Sequence, residues 1–188
     1  ISNFTIGNAI NIPITKYYSG FTDSLTIKVG STTIKTISPI TNGYDVSFTT
    51  SELNIIYKEL SSVTKGTFTF TLTTKSGDTT IGTSSKTATG TINANIKPSI
   101  SSVSLAEAVA GINAQFGGYV QNQSKIKGTI TATAGNGSSI ASYKTVINGN
   151  TYTSSTFTTG ALKTSGSNSY TVTVTDKRGR TASTSGTF

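Results

Sequence analysis

Few side chains in this sequence could carry out chemistry, and the carboxylates come first. With no Cys and no His, thiolate and imidazole metal sites, His-based triads and disulfide scaffolds are excluded. A glycosidase-type mechanism would need two acids facing each other across a substrate. We find the acids isolated, in predicted turns or on a predicted helix, and therefore predict no catalytic residue, no metal site, no cofactor and no enzyme activity. The acids are Asp23, Asp45, Glu52, Glu59, Asp78, Glu107 and Asp176.

A second chemistry that needs neither Cys nor His is a Lys–Asn isopeptide crosslink assisted by a buried acid. Lys28, Lys125 and Lys127 lie near the starts of predicted strands, where such a lysine would stand. Only Glu107 and Asp176 are available as acids in the second half of the chain. We therefore interpret these lysines as solvated, and a mass lower by one ammonia would show the crosslink instead.

Candidate binding residues fall in two places. Lys177, Arg178 and Arg180 form the densest basic cluster, and Tyr17 and Tyr18 are adjacent aromatics in a predicted loop. We expect the three basic side chains to protrude together from the last hairpin. A basic cluster attracts anionic polymers such as teichoic acids, and exposed rings stack on sugars or anchor interfaces. The cluster is not interleaved with aromatics as in a single-strand binder, so we predict no specific nucleic acid. The alternatives are a solvated turn and rings folded onto the domain.

The elements that position these residues are β-strands. Residues 67–73 and 169–175 alternate threonine or serine with Phe, Leu, Tyr or Val, which is typical of an antiparallel sheet with one buried and one wet face. The two segments align at an offset of 102 residues, and Lys-Ser-Gly at 75–77 then matches Lys-Arg-Gly at 177–179. We predict two β-sandwich domains, 1–95 and 96–188, that close with the same hairpin. A single sandwich is the alternative.

The joint between the domains is predicted at residues 93–98, where Pro98 restricts the backbone. Thr49 and Glu52 have the spacing of a capping box and predict a short crossover helix near residues 50–60. Asn148-Gly149 predicts a type I′ hairpin, and residues 115–120 are predicted as a strand. About seven short strands in each half indicate an all-β protein of tandem immunoglobulin-like or fibronectin-like antiparallel sandwiches.

Composition and charge limit the setting. The 38 Thr and 27 Ser place small hydroxyls on about a third of 188 residues. No apolar run is long enough to cross a bilayer, so we predict no membrane insertion. The chain begins with Ile1 and has no Met, which predicts a processed or excised segment. Residues 1–95 carry net charge +2 and residues 96–188 carry +6, so the second domain is the expected contact with anionic polymers.

Several short segments occur in an order that is more specific than the composition. The segments are TTKSG at 73–77, IGTSSK at 81–86, KPSIS at 97–101, GYVQNQSK at 118–125, GSSIASY at 137–143, NGNTY at 148–152 and VTDKRGRT at 174–181. The series resembles a family of minor structural (tail) proteins, of uncharacterised function, from siphophages of streptococci and related Gram-positive bacteria. Lys177 departs from the family, where a small uncharged residue is common.

The resemblance implies a virion component near the tail tip or baseplate, with a role in host adhesion, but brings no functional residues. On that basis we expect a rigid spacer and host-surface binding module, located in the phage tail and outside the cell. Its expected partners are other tail or baseplate proteins and anionic host cell-wall glycopolymers, and the segment alone is expected to be monomeric. The alternative is the stalk of a Gram-positive surface adhesin.

Overall fold

The computed structural model describes residues 1–188 and separates the chain into two compact units. Unit 1 comprises Ile1–Ile96 together with Asn136–Ser138, and unit 2 comprises Lys97–Gly135 and Ser139–Phe188. Each has its own sheets. Six residues, 93–98, connect the last strand of unit 1 to the first strand of unit 2.

Unit 1 contains seven strands and one helix. A five-stranded sheet has the order β1-β7-β6-β3-β4, and β2 pairs with β5 in a separate ribbon. β1 runs parallel to β7 while the other pairs are antiparallel. The strands are β1 (Phe4–Ile6), β2 (Ile10–Ile12), β3 (Thr22–Val29), β4 (Thr32–Ile37), β5 (Tyr44–Val46), β6 (Lys65–Ser76) and β7 (Thr79–Ile92).

The helix α1 (Thr50–Glu59) crosses from β5 to β6. The predicted capping box is confirmed, because the Glu52 N–H donates to the Thr49 hydroxyl and the Thr49 N–H donates to the Glu52 carboxylate. Ile56 and Tyr57 are buried on its inner face. They join Phe68 and Phe70 in the core of unit 1, so burial of this face stabilises a helix too short to persist alone.

Unit 2 contains seven strands in two sheets of four and three. The sheets have the orders β11-β10-β13-β14 and β12-β9-β8, an arrangement of the fibronectin type III kind. Val172, Val174 and Ile130 form the centre of its core. The strands are β8 (Ser99–Glu107), β9 (Ile126–Thr133), β10 (Ile140–Ile147), β11 (Asn150–Tyr152), β12 (Thr156–Thr158), β13 (Ser169–Asp176) and β14 (Thr181–Thr187). The prediction of an all-β, immunoglobulin-like fold is therefore confirmed.

The strand predicted at residues 115–120 is wrong. A second short helix, α2 (Ile112–Phe116), occupies the start of this segment, and a bend at 117–118 and a turn at 121–123 follow it. Gly111 and Gly117 have φ values of +84° and +68° at the two ends of α2, a backbone that ends extended pairing on both sides. The Val120 carbonyl then accepts the N–H groups of Gln123 and Ser124.

Hydroxyl groups pair across strands on the water-facing sides of both units. Thr71 pairs with Ser85 at 2.9 Å in unit 1, and Thr173 pairs with Ser183 at 2.8 Å in unit 2. A third pair joins Ser99 and Thr133. Such pairs stabilise a sheet modestly without placing charge on it.

Candidate functional site

The last hairpin, β13–β14, carries the basic cluster named from the sequence. Asp176 ends β13 with only 1% of its surface exposed, and its Oδ1 accepts the backbone N–H groups of Arg178 and Arg180, both at 3.0 Å. Gly179 has a φ of +78°, and its N–H donates to the Asp176 carbonyl at 2.9 Å. The turn is thus organised around one buried carboxylate.

The three basic side chains of this hairpin are not equally accessible. Lys177 is exposed and Arg180 is half-buried, whereas Arg178 is only 8% exposed. The prediction that the three protrude together is therefore wrong for Arg178. The cluster therefore presents Lys177, and Arg180 in part, at the surface.

The second candidate is the loop between β2 and β3. The Tyr17 ring is fully exposed at 101%, and Tyr18 is 57% exposed. Tyr18 packs edge-on against Phe21 with ring centroids 4.9 Å apart, and it lies so close over Gly20 that a Cβ there would meet its ring at 2.5 Å. Tyr18 is therefore held in place while Tyr17 extends into solvent, and their role in binding stays a prediction.

Most of the acidic side chains are engaged in holding the fold. Asp23 accepts the Thr74 hydroxyl at 2.6 Å, and Asp45 accepts the Asn11 amide at 2.9 Å. Glu59 accepts the Thr32 hydroxyl at 2.9 Å. Each of these three carboxylates therefore accepts a hydrogen bond that joins two segments of unit 1. No group of three or more His, Cys, Asp or Glu side chains is placed to hold a metal ion.

Glu52 carries the ion pair of unit 1. Its carboxylate lies 3.0 Å from the Lys35 ammonium. Partial burial acts to raise the pKa of Glu52, but hydrogen bonds from Thr49 and the charge of Lys35 outweigh it and lower the pKa from its ordinary value. Glu52 is therefore ionised at neutral pH and supports the start of α1.

In unit 2, Glu107 is a carboxylate that binds backbone N–H groups. Its Oε1 accepts the N–H groups of Val109 at 2.8 Å and Lys125 at 3.1 Å. Burial acts to raise the pKa of Glu107, and hydrogen bonds from the Ser124 hydroxyl and these N–H groups lower it below its ordinary value overall. The carboxylate fastens the end of β8 to the start of β9.

Two cavities were not found from the sequence. In unit 1, a cavity of about 300 Å³ is lined mainly by apolar side chains of β2, β3 and β6, including Ile12, Leu25 and Phe70. In unit 2, a cavity of about 350 Å³ lies beside the β10–β11 hairpin and includes Asn148 and Tyr152. The sequence identified Asn148 only as a turn residue, because the pattern does not show that segment 159–164 folds back beside the hairpin.

A search of the helices for a membrane-spanning segment gives a negative result. Neither α1 nor α2 is long and apolar enough to cross a membrane.

The family model described as "Siphovirus protein of unknown function (DUF859)" matches residues 1–187. No curated protein matches the sequence. The fold is similar to the fibronectin(III)-like modules of Clostridium thermocellum CbhA, with 14% identity, a TM-score of 0.35 and coverage of 99% of this chain and 87% of that one. It is also similar to the amphioxus IgVJ-C2 molecule, with 10% identity, a TM-score of 0.46 and coverage of 100% and 98%.

Proposed function

This chain belongs to the siphovirus family of proteins of unknown function, and we propose that it is a non-enzymatic structural and host-adhesion module of the phage tail. The main observation behind this proposal is that the acidic side chains make hydrogen bonds within the fold. Carboxylates in both units accept hydrogen bonds that close turns, cap a helix or join strands. These carboxylates are occupied by hydrogen bonds that stabilise the fold, whereas a catalytic acid must be able to reach its substrate.

The spacer part of the proposal draws on the segment between the units. Only residues 93–98 separate β7 from β8. The Ile96 N–H donates to the Asn93 carbonyl at 3.0 Å, and the Asn95 N–H donates to the Asn93 side chain at 2.9 Å. A short connection with its own hydrogen bonds and a proline has little conformational freedom, which suits a module that holds other parts of a tail apart.

The adhesion part draws on charge and exposed rings. Unit 2 supplies Lys177 and Arg180 at its surface, and unit 1 supplies the uncovered ring of Tyr17. Attraction of such cations to an anionic wall polymer is screened over about 8 Å at physiological salt. We expect contact with the host wall to be strongest at low ionic strength.

The location is tested on purified virions with antibodies raised against the chain. Gold labelling at the tail tip or baseplate supports the proposal, and absence of the chain from virions contradicts it.

The contact with the wall is tested with a fluorescent fusion retained on purified host cell walls. The double variant Lys177→Gln and Arg180→Gln should lower retention at low salt, and Tyr17→Ala should lower it independently of salt. The matched control is Lys127→Gln with Lys144→Gln, which removes the same charge from exposed positions on the strands of unit 2. An equal loss in the control would contradict a specific role for the hairpin.

A further inference from the structure

The cavity of unit 2 opens between the edges of its two sheets. One wall is the β10–β11 hairpin, and the other is the segment 159–164 that follows β12. Its volume is about 350 Å³, within the range of small-molecule sites. We call it the edge cleft.

The wall formed by segment 159–164 is fixed by hydrogen bonds to β9 and the turn before it. The Thr159 N–H donates to the Ile126 carbonyl at 2.9 Å, and the Thr159 hydroxyl accepts the Ile126 N–H at 2.9 Å. The Leu162 N–H donates to Ser124 at 2.8 Å, and its carbonyl accepts the Asn122 N–H at 2.7 Å. This wall is therefore formed before any ligand arrives, which lowers the entropic cost of binding.

The opposite wall presents two amide side chains. Asn148 has a left-handed φ of +46°, and its Nδ2 donates to Oδ1 of the buried Asn168. Its orientation is thus set from inside the unit. Asn150 is exposed and lines the cleft. Each amide offers both donors and acceptors, the combination that hydroxyl groups of a sugar require.

Tyr152 adds an aromatic ring to the hairpin wall of the edge cleft. The Tyr152 ring stacks on Phe157 with centroids 4.6 Å apart and an interplanar angle of 15°, and the ring also lines the cleft. The faces of an aromatic ring are electron-rich, so they attract the C–H groups on the apolar face of a pyranose. Stacking on Phe157 holds this platform in one orientation.

The charged side chain that lines the edge cleft is positive. Lys163 is exposed and lines the cleft, and no carboxylate lines it. The Lys163 ammonium lies 3.4 Å from Oδ1 of Asn122, a long contact that leaves donors for a ligand. A ligand carrying phosphate or carboxylate would gain a charge-assisted hydrogen bond here.

From these features we propose that the edge cleft binds a sugar unit of an anionic surface polysaccharide, with the pyranose ring on Tyr152, its hydroxyls on Asn148 and Asn150, and its anionic substituent on Lys163. The inference rests on the proposed adhesion function and names its ligand class and site. It differs from the hairpin contact because it depends on shape as well as charge, so part of the binding persists at high salt.

The test titrates the isotopically labelled chain with polysaccharide purified from host cell walls and follows amide shifts by NMR. Shifts are expected at residues 148–152 and 159–164. Asn150→Ala and Lys163→Gln should each weaken binding by about tenfold, the scale of one lost hydrogen bond to a charged or well-oriented group. Lys144→Gln is the matched control, because it removes the same charge from an exposed position of β10 and should leave affinity unchanged.

The source of the anionic group is separated by treating the polysaccharide with hydrofluoric acid, which removes phosphate. Lost binding assigns a phosphate substituent, and retained binding assigns a carboxylate; both support the site. Shifts confined to other surfaces, or no binding by any wall polysaccharide, overturn the proposal. Absence of the chain from virions would instead contradict the proposed function and leave a measured affinity of the cleft intact.

Discussion

The two hairpins that close the units share a sequence pattern but not a turn. In unit 1, β6 continues through Ser76 and a two-residue turn of Gly77 and Asp78 leads into β7. In unit 2, β13 ends at Asp176, and the backbone bond from the Asp176 N–H to the Arg180 carbonyl closes a three-residue turn. The same aligned residues therefore lie in a strand in one unit and in a turn in the other.

The difference begins at the position where Thr74 aligns with Asp176. The Thr74 hydroxyl donates a single hydrogen bond across the sheet to Asp23, whereas the Asp176 carboxylate accepts two backbone N–H groups of its own turn. A carboxylate has room for several donors, and both N–H groups of this turn bond to the same oxygen, Oδ1 of Asp176. The repeated motif thus forms a longer turn where a carboxylate accepts the N–H groups of that turn, and a shorter one where a hydroxyl bonds across the sheet.

Removing the carboxylate should have the largest effect. Asp176→Ala leaves two backbone N–H groups without their acceptor, so we expect unit 2 to lose about 2–4 kcal/mol of unfolding free energy. Thr74→Ala removes one hydrogen bond and should cost unit 1 about 1–2 kcal/mol. Amide hydrogen exchange measured separately for β13 and β6 checks both. Equal losses would show that the two positions do equivalent work.

The next largest effect on stability is expected from Arg178, and it is compared with that of Lys177 in the same turn. Arg178→Gln alters a buried side chain and should destabilise unit 2 by about 1–3 kcal/mol, whereas Lys177→Gln changes an exposed one and should stay within about 0.5 kcal/mol. Denaturant unfolding of each variant measures the difference. If Arg178→Gln proved neutral, the side chain would not be part of the packed turn.

Substitution of the two turn glycines should lower stability by a smaller amount, and by the same amount in both units. Gly77 and Gly179 have φ values of +57° and +78°, and a Cβ at either would meet no atom within 4 Å. Alanine at each should cost about 1 kcal/mol through backbone strain alone. Gly82→Ala in β7 is the control, because this glycine also has open space but no left-handed backbone. Thermal unfolding that ranks Gly82→Ala with the other two would remove this explanation.

The smallest expected effect on stability lies outside the hairpins. It is the contribution of Glu52 and Glu107 to the way the unfolding free energy falls at acid pH. Both pKa values are lowered in the folded chain, so their stabilisation is complete above the unfolded value of about 4.3 and is lost as pH falls through the folded pKa. Glu52→Gln should flatten the acid limb of unit 1, and Glu107→Gln that of unit 2, in unfolding followed from pH 7 to 2. An unchanged acid limb in either variant would mean that another group titrates.

The sequence was sufficient for features that depend on neighbours along the chain. Period-2 alternation located the strands at 67–73 and 169–175, and the capping box at Thr49 located α1. The burial of Arg178 was not predictable, because strand alternation and turn residues do not determine what covers a side chain. The edge cleft was not predictable either, because β9 and the turn before it, distant from Asn148 along the chain, fix its second wall.

The paired hydroxyls on the outer faces of the sheets have a consequence for durability. Thr71 with Ser85 and Thr173 with Ser183 carry no charge that acid, base or salt could alter, and neither does the hydrocarbon beneath them. The chain has no Met, Cys or Trp for oxidants to attack. We therefore expect these two faces of the sheets to keep their hydrogen bonds through changes of pH, salt concentration and oxidant.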